Sequence, residues 1–86
     1  MKISNSILGK YTMEKVIDKR IIGLNIMYYR KLKGYTRKQL AQEANISLIY
    51  MAKIEAGLIS KSVSLTVLSK IADILDVSID KLIKKL

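Results

Sequence analysis

Thr36-Arg37-Lys38-Gln39-Leu40-Ala41-Gln42-Glu43-Ala44-Asn45-Ile46-Ser47-Leu48-Ile49-Tyr50-Met51-Ala52-Lys53-Ile54-Glu55-Ala56-Gly57 is the stretch whose pattern decides the fold. Thr36 and Gln39 stand three apart, the spacing of a capping box. A hydroxyl at the N-cap and an amide side chain at N3 each satisfy an orphan backbone N–H. Leu40 and Ala44 form an apolar stripe, and this helix is expected to end at about Ala44. Asn45 and Ile46 make the turn. Asn45 occupies a position that wants positive φ, where Gly is easiest and Asn next best. Ser47 is a good N-cap for a following helix, Leu48 to Ala56, and Gly57 stands just past its end. Leu40, Ala44, Ile46, Met51 and Ile54 fall where two short helices joined by a tight turn share a core. Ala41 is small where the two helices cross.

The flanks read as helices too. Asp18 suits an N-cap, and Ile22, Ile26, Tyr29 and Leu32 follow a helical period up to Gly34. This predicts a helix from about Lys19 to Lys33, with Lys31 and Lys33 favourable at its C-terminal end. Gly23 weakens that helix by about 1 kcal/mol relative to Ala. On the other side, Leu58 to Val63 reads as a loop. Ser64 caps a fourth helix with Leu65, Leu68, Ile71, Ala72 and Leu75 inward, and Asp76 and Val77 break it. Ser78 caps a short fifth helix with Ile79, Leu82 and Ile83 inward. The expected fold class is all-α, with a five-helix domain over residues 18–86 and an N-terminal extension over 1–17. The extension admits three readings: a backward continuation of the first helix capped by Thr12, an appendage before an alternative start at Met13, or a basic arm carrying Lys2, Lys10 and Lys15.

Composition narrows the chemistry. Eighty-six residues make one domain, and the chain has no Cys, His, Trp, Phe or Pro. Without Cys there is no disulfide framework, thiolate nucleophile or Cys-based zinc site. Without His the commonest general base and metal ligand are gone. No metal or cofactor is expected. The apolar stretches are too short to span a membrane, and the N-terminus lacks a signal-peptide core, so a soluble cytoplasmic protein is expected. The formal net charge is +9. Between Lys19 and Gln42 stand seven basic residues and no acid, while Asp73, Asp76 and Asp80 lie towards the other end. This asymmetry suits a polyanionic partner, nucleic acid before anionic membrane, or a plain solvated surface.

Arg30 through Ala41, followed by Asn45-Ile46-Ser47 and Tyr50 through Gly57, strongly resembles the lambda-repressor/Cro-like, or XRE-type, helix-turn-helix family. The similarity continues through Ser64-Leu65, Leu68, Lys70-Ile71-Ala72, Leu75 and Val77 to Leu82, covering roughly residues 20–83. It implies a compact five-helix lambda-repressor-like domain. Its third helix would enter the DNA major groove while its second crosses the backbone. It also implies a buried ion pair between Arg30 and Glu55. From the residues alone, Glu55 is the only acid between Asn45 and Lys70. The alternative for the two residues is a solvated surface pair contributing about 0–1 kcal/mol.

The resemblance also sorts candidate DNA contacts. Thr36 and Arg37 start the second helix, where backbone N–H groups and a guanidinium suit phosphate. The family often has Gln where this chain has Arg37. Asn45, Tyr50, Lys61, Ser62 and Ser64 are further phosphate candidates, with simple capping or solvation as the alternative. Ser47, Leu48, Ile49 and Lys53 match the base-reading positions. Leu48 and Ile49 replace polar residues expected there; they either touch thymine methyls or lie buried against the chain or a partner subunit. Tyr28, Tyr29 and Tyr35 read as packing residues.

The function expected from this pattern is a sequence-specific regulator of transcription that binds double-stranded DNA. It would be a small homodimeric repressor of bacterial, phage or mobile-element type, and an antitoxin that represses its own operon is a close variant. The alternative is a protein-interaction module that keeps the fold with weak base readout. An enzyme is a poor fit, since the acids are scattered and no activated nucleophile is present. The dimer surface is expected either on the fifth helix, with Ile79, Leu82, Ile83 and Leu86, or on the N-terminal extension.

Overall fold

Each helix begins at a polar side chain that satisfies its own first turn. In the computed structural model, which describes residues 18–59 and 63–85, five helices follow in order: α1 Lys19–Leu32, α2 Arg37–Glu43, α3 Leu48–Glu55, α4 Leu65–Leu75 and α5 Ile79–Ile83. Asp18 accepts from the Arg20 N–H at 2.8 Å. Thr36 Oγ1 accepts from the Gln39 N–H at 3.0 Å, and Gln39 Oε1 accepts from the Thr36 N–H at 2.8 Å, completing the capping box. Ser47, Ser64 and Ser78 cap α3, α4 and α5 by accepting the backbone N–H groups of Tyr50, Val67 and Lys81. The N-terminal extension, together with Lys61, Ser62 and Leu86, lies outside the described residues.

Helix ends are as uniform as helix starts. α1 to α4 each finish in a Schellman arrangement, with one residue in the left-handed region: Gly34, Asn45, Gly57 and Asp76. At α2, for example, the Asn45 N–H donates to Gln42 O and the Ile46 N–H to Ala41 O. Asp76, at φ 59°, is a non-glycine residue in this conformation. Replacing it with Gly removes the Cβ clash of the left-handed region. Asp76→Gly is therefore expected to stabilise the domain by about 0.5–1 kcal/mol. A thermal melt with an unchanged or lower midpoint would contradict this.

α1 is the central element, packing on α3, α4 and α5, while α2 packs on α3 and α4. Ile22 and Ile26 of α1, Leu40 of α2, Met51 and Ile54 of α3, Leu68, Ile71 and Leu75 of α4, and Leu82 of α5 close one apolar core. Burial of such side chains, at about 1.5–3 kcal/mol each, is the main stabilising term in a domain with no covalent staple.

Four sequence expectations are corrected. Leu32 is exposed; ten residues at 100° each leave it about 80° round the helix from Ile22. Leu65 is exposed in the first turn of α4, three residues before the first buried position, Leu68. Tyr28 stands out from α1, whereas Tyr29 and Tyr35 pack against the core. Leu82, grouped above with a dimer surface, is fully buried within the chain.

One buried polar residue escapes the sequence pattern altogether. Asn25, on α1, is buried, and its Nδ2 donates to the carbonyls of Leu82 at 2.9 Å and Lys84 at 2.6 Å. It closes the C-terminal end of α5 by taking the carbonyls of Leu82 and of the C-cap residue Lys84, where the helix itself runs out of donors.

Candidate nucleic-acid interface

The turn at Asn45 sets the direction of α3. With φ at 58° it ends α2 and sends the chain through Ile46 to the Ser47 cap. Met51, Ile54 and Glu55 then face inward and are buried. Leu48 (47% exposed), Ile49 (70% exposed), Lys53 and Ala56 face out, with Tyr50 and Ala52 half-buried at the margin.

Ser47 is exposed beside this face, but its oxygen already accepts the Tyr50 N–H at 3.0 Å. Its hydroxyl proton remains available for donation. Thr36 and Ser64, at the starts of α2 and α4, are in the same position. Capping and anion contact are therefore compatible at all three residues: the cap uses one acceptor lone pair and leaves the O–H donor.

Behind α3 lies a cluster of three charges. Arg30 Nε donates to Glu55 Oε2 at 2.7 Å, and Arg30 Nη2 to Glu55 Oε1 at 3.1 Å. Arg30 Nη1 donates to Tyr35 O at 3.0 Å. Arg37 Nε donates to the same Glu55 Oε1 at 3.1 Å. The Glu55 side chain has no exposed area, while that of Arg37 is 42% exposed. One carboxylate thus joins α1, α2 and α3, and two guanidiniums share it. Arg37 leans on Glu55 through Nε.

Tyr35, between α1 and α2, donates its hydroxyl to Glu43 Oε1 at 3.5 Å. Burial, reinforced by the Glu43 carboxylate, pushes the Tyr35 phenol above its ordinary range, so it stays a neutral donor near neutral pH.

The candidates Thr36, Arg37, Asn45, Ser47, Leu48, Ile49, Tyr50, Lys53 and Ser64 all fall in α2, α3, the turn between them, or the start of α4. Lys61 and Ser62 lie outside the described residues. Lys38 and Gln42, one turn apart on α2, are also exposed. Their i, i+4 spacing is the signal that places them on one face. Among the described residues no group of acids is arranged to hold a metal ion. No described helix is long and apolar enough to cross a membrane.

A helix-turn-helix family model matches residues 26–82, from the middle of α1 to Leu82 in α5. The chain belongs to the XRE-type helix-turn-helix family. Among its XRE-type relatives is the transcriptional regulator SinR of Bacillus licheniformis, 37% identical over 65 residues. That similarity covers 76% of this chain and 58% of SinR, so the chain spans little more than half the length of this relative. The DNA-binding domain of SinR from Bacillus subtilis is 38% identical and superposes with a TM-score of 0.67, covering 73% of this chain and 90% of that domain. SinR has also been solved in complex with DNA. The restriction-modification controller C.AhdI from Aeromonas hydrophila is 28% identical with a TM-score of 0.69, over 76% of this XRE-type chain and 96% of its own.

Proposed function

We propose that the chain is a transcriptional regulator that binds double-stranded DNA sequence-specifically as a homodimer. α3 lies in the major groove, α2 crosses the phosphate backbone, and the simplest outcome is repression by occluding a promoter. The observation that carries this reading is the outward face of α3. Ser47, Leu48, Ile49 and Lys53 are exposed on a helix whose opposite side is fully committed to the core. Two such helices in a symmetric dimer, about 34 Å apart, meet successive major grooves on one side of the duplex.

Phosphate contact falls to Thr36, Arg37, Asn45, Tyr50 and Ser64, with Lys61 and Ser62 from the following loop, and base contact to the α3 face. The relatives' DNA-bound structure supports the assignment by analogy. We also read the chain as cytoplasmic and non-enzymatic. Its buried carboxylate, Glu55, is held by two guanidiniums and has no freedom to act as a base.

In vitro selection of bound DNA from a random library is the direct test. A symmetric site with half-sites one helical turn apart is the expected result. Recovery of no preferred sequence would sink the reading and favour a protein-interaction role. Within a selected site, Arg37→Ala is expected to weaken binding to all sequences alike and to reduce the slope of log K against log salt by about one unit. The fold should tolerate it, because Arg30 still holds Glu55 and a half-exposed pair contributes only about 0–1 kcal/mol. An unchanged slope removes Arg37 from the phosphate set.

A further inference from the structure

We infer that the outward face of α3 selects DNA chiefly through thymine C5-methyl groups, with Leu48 and Ile49 as the specificity-determining residues. The inference rests on the DNA-binding reading above and names the feature of the half-site that this surface recognises.

The chemistry of the face is one-sided. Leu48, Ile49, Ala52 and Ala56 offer only methyl and methylene groups. Ser47 and Lys53 are its hydrogen-bonding members, and both are best placed as donors. The ammonium has no lone pair, and one of the two lone pairs of the Ser47 oxygen is already engaged by the Tyr50 N–H. No Asn, Gln or ionised carboxylate stands on this side of α3; its one acid, Glu55, is buried behind it.

Adenine is read in the major groove by an Asn or Gln pair, and cytosine by a carboxylate. Neither stands on the outward face of α3; the exposed Gln42 and Asn45 belong to α2 and the turn. Lys53 can mark one guanine. Opposite Leu48 and Ile49, a cytosine or adenine amino group is stripped of water and given no acceptor, which disfavours those bases. Thymine presents a methyl at the same place and gains apolar contact. The half-site therefore carries thymine, or another 5-methylpyrimidine, at the positions facing Leu48 and Ile49. The two side chains are exposed, so nothing in the fold needs them there.

The test replaces thymines of the selected site by deoxyuridine one at a time, which removes a methyl and leaves every hydrogen bond in place. One or two positions per half-site are expected to lose about threefold to fivefold in affinity each, the worth of one buried methyl. At those positions 5-methylcytosine is expected to bind more tightly than cytosine by a similar factor. Leu48→Ala and Ile49→Ala, whose folding is checked by thermal melt, are expected to abolish the deoxyuridine penalty. Lys53→Ala is expected to weaken binding and keep it. If a site is selected over bulk DNA yet no deoxyuridine substitution changes affinity, the methyl inference is overturned and the DNA-binding reading stands. If no site is selected at all, the DNA-binding reading fails and this inference falls with it.

Discussion

Glu55→Ala is expected to destabilise the domain by about 3–5 kcal/mol, the cost of leaving a buried charge without its partner. Arg30 is buried and directs Nε and Nη2 at this carboxylate. With the carboxylate gone, a guanidinium remains in the interior with only the Tyr35 carbonyl to satisfy it. Small domains have about 5–15 kcal/mol in total, so the variant should be partly unfolded in mild urea. Arg37 offers little relief, because it is a second cation beside the first. Two further variants separate charge from shape. Glu55→Gln keeps an acceptor and similar volume, and should lose less. The double change Arg30→Met with Glu55→Leu removes both charges, and should be more stable than Glu55→Ala alone. Urea denaturation midpoints order the three. A Glu55→Ala midpoint equal to that of the parent chain would show that the cluster contributes nothing to stability.

Gly23→Ala has the second-largest expected effect, and here two principles point in opposite directions. Helix propensity favours Ala by about 1 kcal/mol. Packing opposes it. A Cβ at position 23 would lie 2.5 Å from the carbonyl oxygens of both Ile54 and Glu55, and 2.8 Å from the Glu55 carbonyl carbon. Real Cβ atoms essentially never come that close. The obstacle is backbone in the last turn of α3, so no rotamer change clears it. α1 must back away from α3, which also stretches the Arg30–Glu55 pair two turns further on. The net loss is expected to be about 3 kcal/mol, at the upper end for overpacking. Leu24→Ala, at the exposed neighbouring position, should change stability by less than about 0.5 kcal/mol. If Gly23→Ala is as stable as Leu24→Ala, the close approach of α1 to α3 is not needed.

These two sites show where sequence patterns stop informing. Asp18, Thr36, Ser47, Ser64 and Ser78 announce helix starts because capping joins residues two or three apart. The left-handed residue at Asn45 is legible for the same reason: local sterics decide which side chains tolerate positive φ. Gly23 looks like a defect until α3 is seen against it. Arg37 reads as a free arm at a helix start, yet it shares a carboxylate eighteen residues along the chain. Asn25 looks like an ordinary polar residue in α1, and its partners lie 57 and 59 residues away. For the candidate interface, the pattern assigns Met51 and Ile54 to the core, as the structure does, but leaves open whether Leu48 and Ile49 face out or lie buried. The exposure of Leu48 and Ile49 is a property of the packed domain.

The Asn25 clamp has a consequence for how the chain is made. α1 leaves the ribosome before the other described helices, yet its amide is satisfied by carbonyls of α5, the last of them. Until Leu82 and Lys84 have emerged, closing the core around α1 strands a buried amide, at about 1–3 kcal/mol. α1 also lacks α5 as a packing surface until then. Of the described helices, the first synthesised is thus the one secured last. Nascent chains stalled before Leu82 should remain open to protease along α1, and those released beyond Lys84 should resist it, so completion of the domain is timed by its final turn.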